Sequence, residues 1–226
     1  MKDQIDAAGF NTSLQTQMFH SDLKQHLKAI DTLAKYLDSD VPGVISNLDL
    51  IFKWVTLRFF ETNPSVLLKS LEYLNEVFVA LGEQGYAMHD LEALCFIPYL
   101  VNKVGDPKDQ VRAGIKTMFK SIYQVYPASK FAPYLMDGIK HKNSKLQTEC
   151  LDELGWMIRN HRMSVLQTPA ACLKEMAKSI SDRDNSVRNG ALNAITEAYF
   201  QVSIPSWHIS HIPTNISSKT TADFFY

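Results

Sequence analysis

Two proline-centred segments, Phe96-Ile97-Pro98-Tyr99-Leu100 and Phe131-Ala132-Pro133-Tyr134-Leu135, repeat one pattern 35 residues apart. Each lies in a run whose apolar residues fall at helical spacing, where a proline removes one backbone hydrogen bond and bends the axis. Each proline stands eight residues before a loop position (Asp106, His141) and 13 before an apolar one (Val111, Leu146). A second pair of stretches, GDPKDQVRAGI (105–115) and SDRDNSVRNGAL (181–192), matches Asp106 to Asp182, Val111 to Val187 and Arg112 to Arg188, each 76 residues apart. That is one period counted twice. In the later stretch Asp184 or Asn185 is placed to cap a helix, its side-chain oxygen taking a backbone N–H that the first turn leaves unpaired. Val187 and Leu192 are expected to point into a core, with Arg183, Asp184 and Asn185 at the loop tip.

The same unit extends upstream. Leu23, Leu27, Ile30, Leu33 and Leu37 share one helical face. Asp38–Gly43 reads as a turn, and Val44–Phe60 as a helix apolar almost all round, its polar stripe limited to Asp49, Lys53 and Thr56. Such a helix must be covered on most sides, with Trp54 in the core. Thr62-Asn63-Pro64 supplies the next cap, with proline at the first helical position. The apolar anchors Leu23, Val66, Val111, Leu146 and Val187 then stand 43, 45, 35 and 41 residues apart. Periods of that size with two helices each predict an all-α fold, an α-solenoid of about five HEAT-type helical hairpins. Residues 1–10 carry no period and are expected to be a disordered lead-in, 11–201 to form the repeat domain, and 202–226 to be a flexible non-repeat tail that leaves the solenoid truncated at its C-terminal end.

Several functions are set aside by composition. A net charge of −1 offers no general attraction to nucleic acid or to an anionic membrane. Three cysteines without paired spacing (Cys95, Cys150, Cys172) fit a reducing compartment. The N-terminus has no apolar segment of signal-peptide type, and charges interrupt the longest apolar run, so a cytoplasmic protein is expected. No P-loop, dinucleotide fingerprint or HExxH is present. Cys150 sits among Glu149, Asp152 and Glu153 with no histidine tied to it, and His208-x-x-His211 has no further ligand at a supporting spacing. The expectation is no enzyme, no metal and no cofactor.

The residues also carry a resemblance. SNLDLIFKWVTLRFFETNPSVLLKSLEYL (46–74), FIPYLVNKVGDPKDQVR (96–112), VYPASKFAPYLMDGIKHKNSK (125–145), ECLDELG (149–155) and ISDRDNSVRNGALNAI (180–195) together resemble a TOG domain, the tubulin-binding HEAT-repeat module. Within that family the stretch 10–201 looks most like the fourth TOG domain of the ch-TOG and Mini spindles microtubule polymerases. The resemblance implies a paddle of HEAT repeats that binds αβ-tubulin and microtubules along one edge, built from the loops inside each repeat. On this chain those loops are His20–Lys24, Glu61–Val66, Asp106–Arg112, His141–Leu146 and Asp182–Arg188. It further implies a place on the cytoskeleton, at spindle, centrosome and kinetochore, with other spindle or plus-end proteins as further partners. Two departures stand out: Leu23 falls where the tightest members carry a tryptophan, and the sixth repeat is replaced by the unrelated tail.

The expected tubulin contacts are Leu23, Lys24, Asn63, Ser65, Lys108, Arg112, Lys142, Asn143, Lys145, Arg183, Asn185 and Arg188. The basic members at the loop tips are suited to charge-assisted hydrogen bonds with carboxylates. Asn63 is equally suited to be a helix cap. The pairs Asp106/Arg112 and Asp182/Arg188 are expected to form the family's ladder between successive repeats. The alternative reading is a general HEAT scaffold that binds peptides on its concave helical surface, which calls for an asparagine, tryptophan or acidic ladder on the inner helices.

Overall fold

Among the described residues five helical hairpins follow one another. The computed structural model describes residues 1–61 and 63–203. A short helix α1 (Lys2–Ala7) precedes the first hairpin, α2 (Thr12–Met18) with α3 (Leu23–Ser39). The outgoing arm of the second is split into α4 (Val41–Ser46) and α5 (Leu48–Arg58) and returns as α6 (Pro64–Glu83). Three further pairs complete the series: α7 (Asp90–Lys103) with α8 (Asp109–Val125), α9 (Ala128–Gly138) with α10 (Ser144–His161), and α11 (Pro169–Lys178) with α12 (Asn185–Ser203). Among the described residues there is no strand. The outgoing arms α5, α7 and α9 pack side by side, and the return arms α3, α6, α8, α10 and α12 make a second layer. This is the HEAT-type solenoid expected from the period.

A polar cap starts each return arm. The side chains of Asp22, Asn63, Asn143 and Asp184 accept the backbone N–H two residues on, from Lys24 (2.9 Å), Ser65 (2.9 Å), Lys145 (3.0 Å) and Ser186 (2.8 Å). A cap of this kind contributes about 1 kcal/mol. Lys108 holds the cap position of α8, and Asp106 accepts its N–H instead (3.0 Å). Three residues after four of these caps stand Val66, Val111, Leu146 and Val187, all buried. Leu23 breaks this register. It follows its cap directly and is only partly buried, and His26, one turn into α3, takes the buried place.

The core runs between the two layers. Phe52 stacks on Phe78 and on Phe96, with centroids 5.5 and 4.8 Å apart. Trp54 is fully buried, as expected, and its indole N–H donates to the Met18 carbonyl of the first hairpin at 2.9 Å. Pro98 and Pro133 do lie inside α7 and α9. The Ser129 carbonyl, four residues before Pro133, accepts from Gln167 Nε2 at 3.3 Å in place of a helical N–H. At Gly155 any Cβ would lie 3.2 Å from Ala194 Cα, so glycine is what lets α10 and α12 close up.

Four local expectations are corrected. Residues 1–10 are not a structureless lead-in: Lys2–Ala7 is helical because Ile5 is fully buried against the first hairpin. Val41-Pro42-Gly43 opens a helix rather than a turn, since Asp40 accepts the Gly43 N–H (2.9 Å) and proline suits the first helical turn. The long apolar helix is interrupted at Asn47, whose side chain bonds back to the Gly43 carbonyl (2.9 Å). Leu192 is 46% exposed, and Ala191 and Ala194 make the buried contacts of α12 instead. The last helix includes Val202 and Ser203; the rest of the expected tail, with its two histidines, lies outside the described residues.

Candidate functional site: an edge of five loops

The turns inside the hairpins lie next to one another, and side chains connect them in order. His26 Nδ1, just after the first loop, sits 3.3 Å from Glu61 in the second. Phe60 of the second loop shares a pocket with Asp106 and Pro107 of the third and Asn143 of the fourth. Asn143 Nδ2 donates to the Gly105 carbonyl at 3.3 Å. Gly105 allows this approach, because a Cβ there would come within 2.7 Å of Leu146 Cβ. At the fifth loop the N–H groups of Ser186 and Val187 hold the Asp184 carboxyl below its ordinary pKa, with the Ser144 hydroxyl of the fourth hairpin adding to the effect. One continuous edge results.

The third and fifth loops share one brace, and it differs from the expected ladder. Arg112 Nη1 donates to the Asp106 carbonyl oxygen (2.6 Å), and Arg188 Nη1 to the Asp182 carbonyl oxygen (2.9 Å). The aspartate carboxylates look the other way, each accepting the backbone N–H two residues on, from Lys108 (3.0 Å) and from Asp184 (2.8 Å). The two aspartates and Arg188 thus tie each loop to itself and not to the next repeat. Of these four residues only Arg112 also reaches the next repeat, its Nε 3.2 Å from Glu149 on α10. Arg188 spends its remaining donors on the Arg183 carbonyl (3.1 Å) and Asn185 Oδ1 (3.0 Å).

The first two loops are joined by a buried cluster that sequence reasoning missed. Arg58, 7% exposed, lies over the Trp54 ring at 4.9 Å and points Nη1 at Glu61 from 3.4 Å. Burial holds the arginine's pKa below its usual value, with Glu61 opposing. His26 pairs Nε2 with the His20 carbonyl at 2.8 Å. Its pKa is also lowered, by burial first and then by Arg58, against the His20 carbonyl and Glu61. One signal was available: Arg58 is a basic residue between two apolar neighbours, Leu57 and Phe59, at the end of the apolar run.

Residues 11–208 match the family model described as XMAP215/Dis1/CLASP, TOG domain. The chain belongs to the TOG-domain family. Protein mini spindles of Drosophila melanogaster is 45% identical over 200 residues, which cover 88% of this chain and 10% of that protein. Zygote defective protein 9 of Caenorhabditis elegans is 36% identical over 187 residues, 83% of this chain and 13% of that one. The chain therefore spans about a tenth of the length of these relatives. A solved structure described by the words "TOG-tubulin binding specificity promotes microtubule dynamics and mitotic spindle formation" superposes with a TM-score of 0.86 at 44% identity, over 89% of this chain and 81% of that one. The "TOG domain structure from C.elegans Zyg9" gives 0.80 at 36% identity, over 84% and 71%.

The Cys150 thiol of this TOG domain is fully buried, and its pKa is pushed up by that burial. Among the described residues no group of histidine, cysteine and carboxylate side chains could hold a metal, and no helix is long and apolar enough to cross a membrane. The twelve candidates divide into two sets. Asn63 and Asn143 are helix caps, Asn185 accepts from Arg188, and Arg112 and Arg188 brace their own loops. Leu23 packs partly against the core. Lys24, Ser65, Lys108, Lys142, Lys145 and Arg183 are exposed, and none of those five basic side chains forms an ion pair among the described residues.

The return-arm layer of this TOG domain has the opposite character. Lys69 pairs with Asp31, Lys116 with Glu149, Lys120 with Glu153 and Arg159 with Glu197, while Ser121 donates to Asn75 (3.0 Å). Each bond joins one return arm to its neighbour. Lys120 Nζ also lies 3.0 Å from the centroid of the Trp156 ring, which stacks on Tyr123. The polar groups of these bonds are paired with one another.

Proposed function

We propose that this TOG domain is a tubulin-binding module of a microtubule polymerase or regulator, and that it docks αβ-tubulin through its five-loop edge. The observation that carries the reading is the placement of Lys24, Lys108, Lys142, Lys145 and Arg183, exposed and without ion-pair partners among the described residues, on that one edge. The caps and braces at the loop bases hold the backbone still, so a partner meets a preformed surface and little ordering entropy is lost on docking. The basic side chains then form charge-assisted hydrogen bonds with tubulin carboxylates. The paired state of the return-arm polar residues supports this reading over the peptide-scaffold alternative.

These relatives are several times longer than this chain. In such a length several modules act together, because linking raises the effective concentration of each later contact. Acting so, the domain contributes to microtubule dynamics and spindle organisation in the cytoplasm, at microtubules, spindle and centrosome. Size-exclusion chromatography of the purified chain with αβ-tubulin at low and at moderate salt tests the proposal. Co-elution at low salt that weakens as salt is added is expected, since about 0.1 M salt screens exposed charges beyond roughly 10 Å. Separate elution at both salts, with each protein at tens of micromolar, overturns it.

A further inference from the structure

The second loop carries a feature that charge does not explain. Phe59 and Phe60 are neighbours in sequence, yet Phe59 is fully buried and Phe60 is 68% exposed. Phe60 stands edge-on to Tyr99 of α7, with centroids 6.3 Å apart and planes at 80°. Tyr99 is itself 42% exposed, and Leu57, one turn earlier on α5, is 43% exposed. Phe59, Phe60, Tyr99 and Pro107 supply the apolar wall of a depression of about 260 Å³, which Lys103 and Asn143 border on its polar side. A single exposed apolar side chain is ordinary. Phe60 and Tyr99, set against each other and lining one depression, form a patch, and patches of that kind mark contact surfaces.

The position of the patch says which contact. It is formed by the second, third and fourth of the five loops, at the middle of the edge. Binding energy in protein interfaces concentrates in central aromatic anchors ringed by polar contacts. The depression is close to neutral, because Lys103 lies 3.8 Å from Asp106, whereas Lys108, Lys142 and Lys145 around it are unpaired among the described residues. The surface that fits has an apolar side chain projecting between carboxylates.

We infer that Phe60, supported by Tyr99, is the apolar anchor of the tubulin-docking edge, and that the depression beside it receives an apolar side chain from an acidic face of αβ-tubulin. This rests on the tubulin reading above. In it the loop cations supply the salt-sensitive part of binding, and Phe60 supplies a part that salt does not screen.

Phe60→Ala, the control Leu192→Ala at the far end of the solenoid, and the wild-type chain are titrated with fluorescent αβ-tubulin at two salt concentrations, with sedimentation velocity of each chain alone. Phe60→Ala is expected to weaken binding about tenfold at both salts, with helical circular dichroism unchanged and Leu192→Ala matching wild type. If wild type binds tubulin and Phe60→Ala binds equally well, the anchor is refuted while the tubulin reading stands. If wild type does not bind at all, the tubulin reading fails, and the anchor with it. Wild-type dimers that Phe60→Ala abolishes, with tubulin affinity unchanged, would assign the patch to a second copy of the chain and overturn the inference.

Discussion

The third and fifth loops have the same brace and different surroundings. In both, an arginine six residues after an aspartate reaches back to that aspartate's carbonyl oxygen, at 2.6 and 2.9 Å. Only Arg112 then continues to a neighbouring return arm, through Glu149. Arg188 lies in the last hairpin described and folds its spare donors back onto Arg183 and Asn185. The local motif shapes a loop. The next repeat is what makes the loop part of a rigid edge.

Arginine deletion at the two sites separates these contributions and carries the largest effect. Arg112→Ala loses the brace and also leaves Glu149 with Lys116 as its ion-pair partner, so a cost of about 3 kcal/mol is expected in urea unfolding. Arg188→Ala loses only bonds within its own loop and should cost roughly 1.5 kcal/mol. Equal losses would show that the tie to Glu149 adds nothing.

A smaller effect probes the first two loops, whose connection is buried where that of the third and fourth is partly solvated. The folded-state pKa of His26 lies below the 6.5 of a free histidine. The unfolded chain therefore binds more protons than the folded one as pH falls through that value, and stability declines with falling pH. The groups facing the ring are Glu61, Arg58 and His20. His26→Gln should flatten the dependence of unfolding free energy on pH just below 6.5, while the Arg112→Ala variant retains it. A wild-type profile that is flat there would show that Glu61 cancels the effect of burial.

What was legible in the sequence follows the range of the interactions. Caps and buried anchors are three residues apart, so Asn63 with Val66, Asn143 with Leu146 and Asp184 with Val187 could be paired by inspection. With their 35- to 45-residue spacing they were enough for the solenoid and for the edge. Contacts between repeats carry no such signature. His26 and Glu61 stand 35 residues apart and meet only after two hairpins have packed. The two charges in the motif point to the pairs Asp106/Arg112 and Asp182/Arg188 as the ladder, but the carboxylates serve as loop acceptors and only Arg112, through Glu149, takes the inter-repeat role. Phe59 and Phe60 cannot be ranked from composition, since a one-residue step at a helix end turns one side chain inward and the other out. Lys2–Ala7 was missed because a six-residue helix with a single buried anchor has no period to read.

We propose that the loop edge, and not the return-arm layer, is the tubulin surface, and a tubulin titration of two variants against wild type tests this most directly. One removes Lys142, Lys145 and Arg183 from the edge by alanine substitution, and the other removes Lys69 and Arg159 from the return arms in the same way. The edge variant is predicted to keep its helical circular dichroism and lose tubulin co-elution, while the return-arm variant binds as wild type does. Retained binding by the edge variant, or an equal loss in the return-arm variant, would contradict the account.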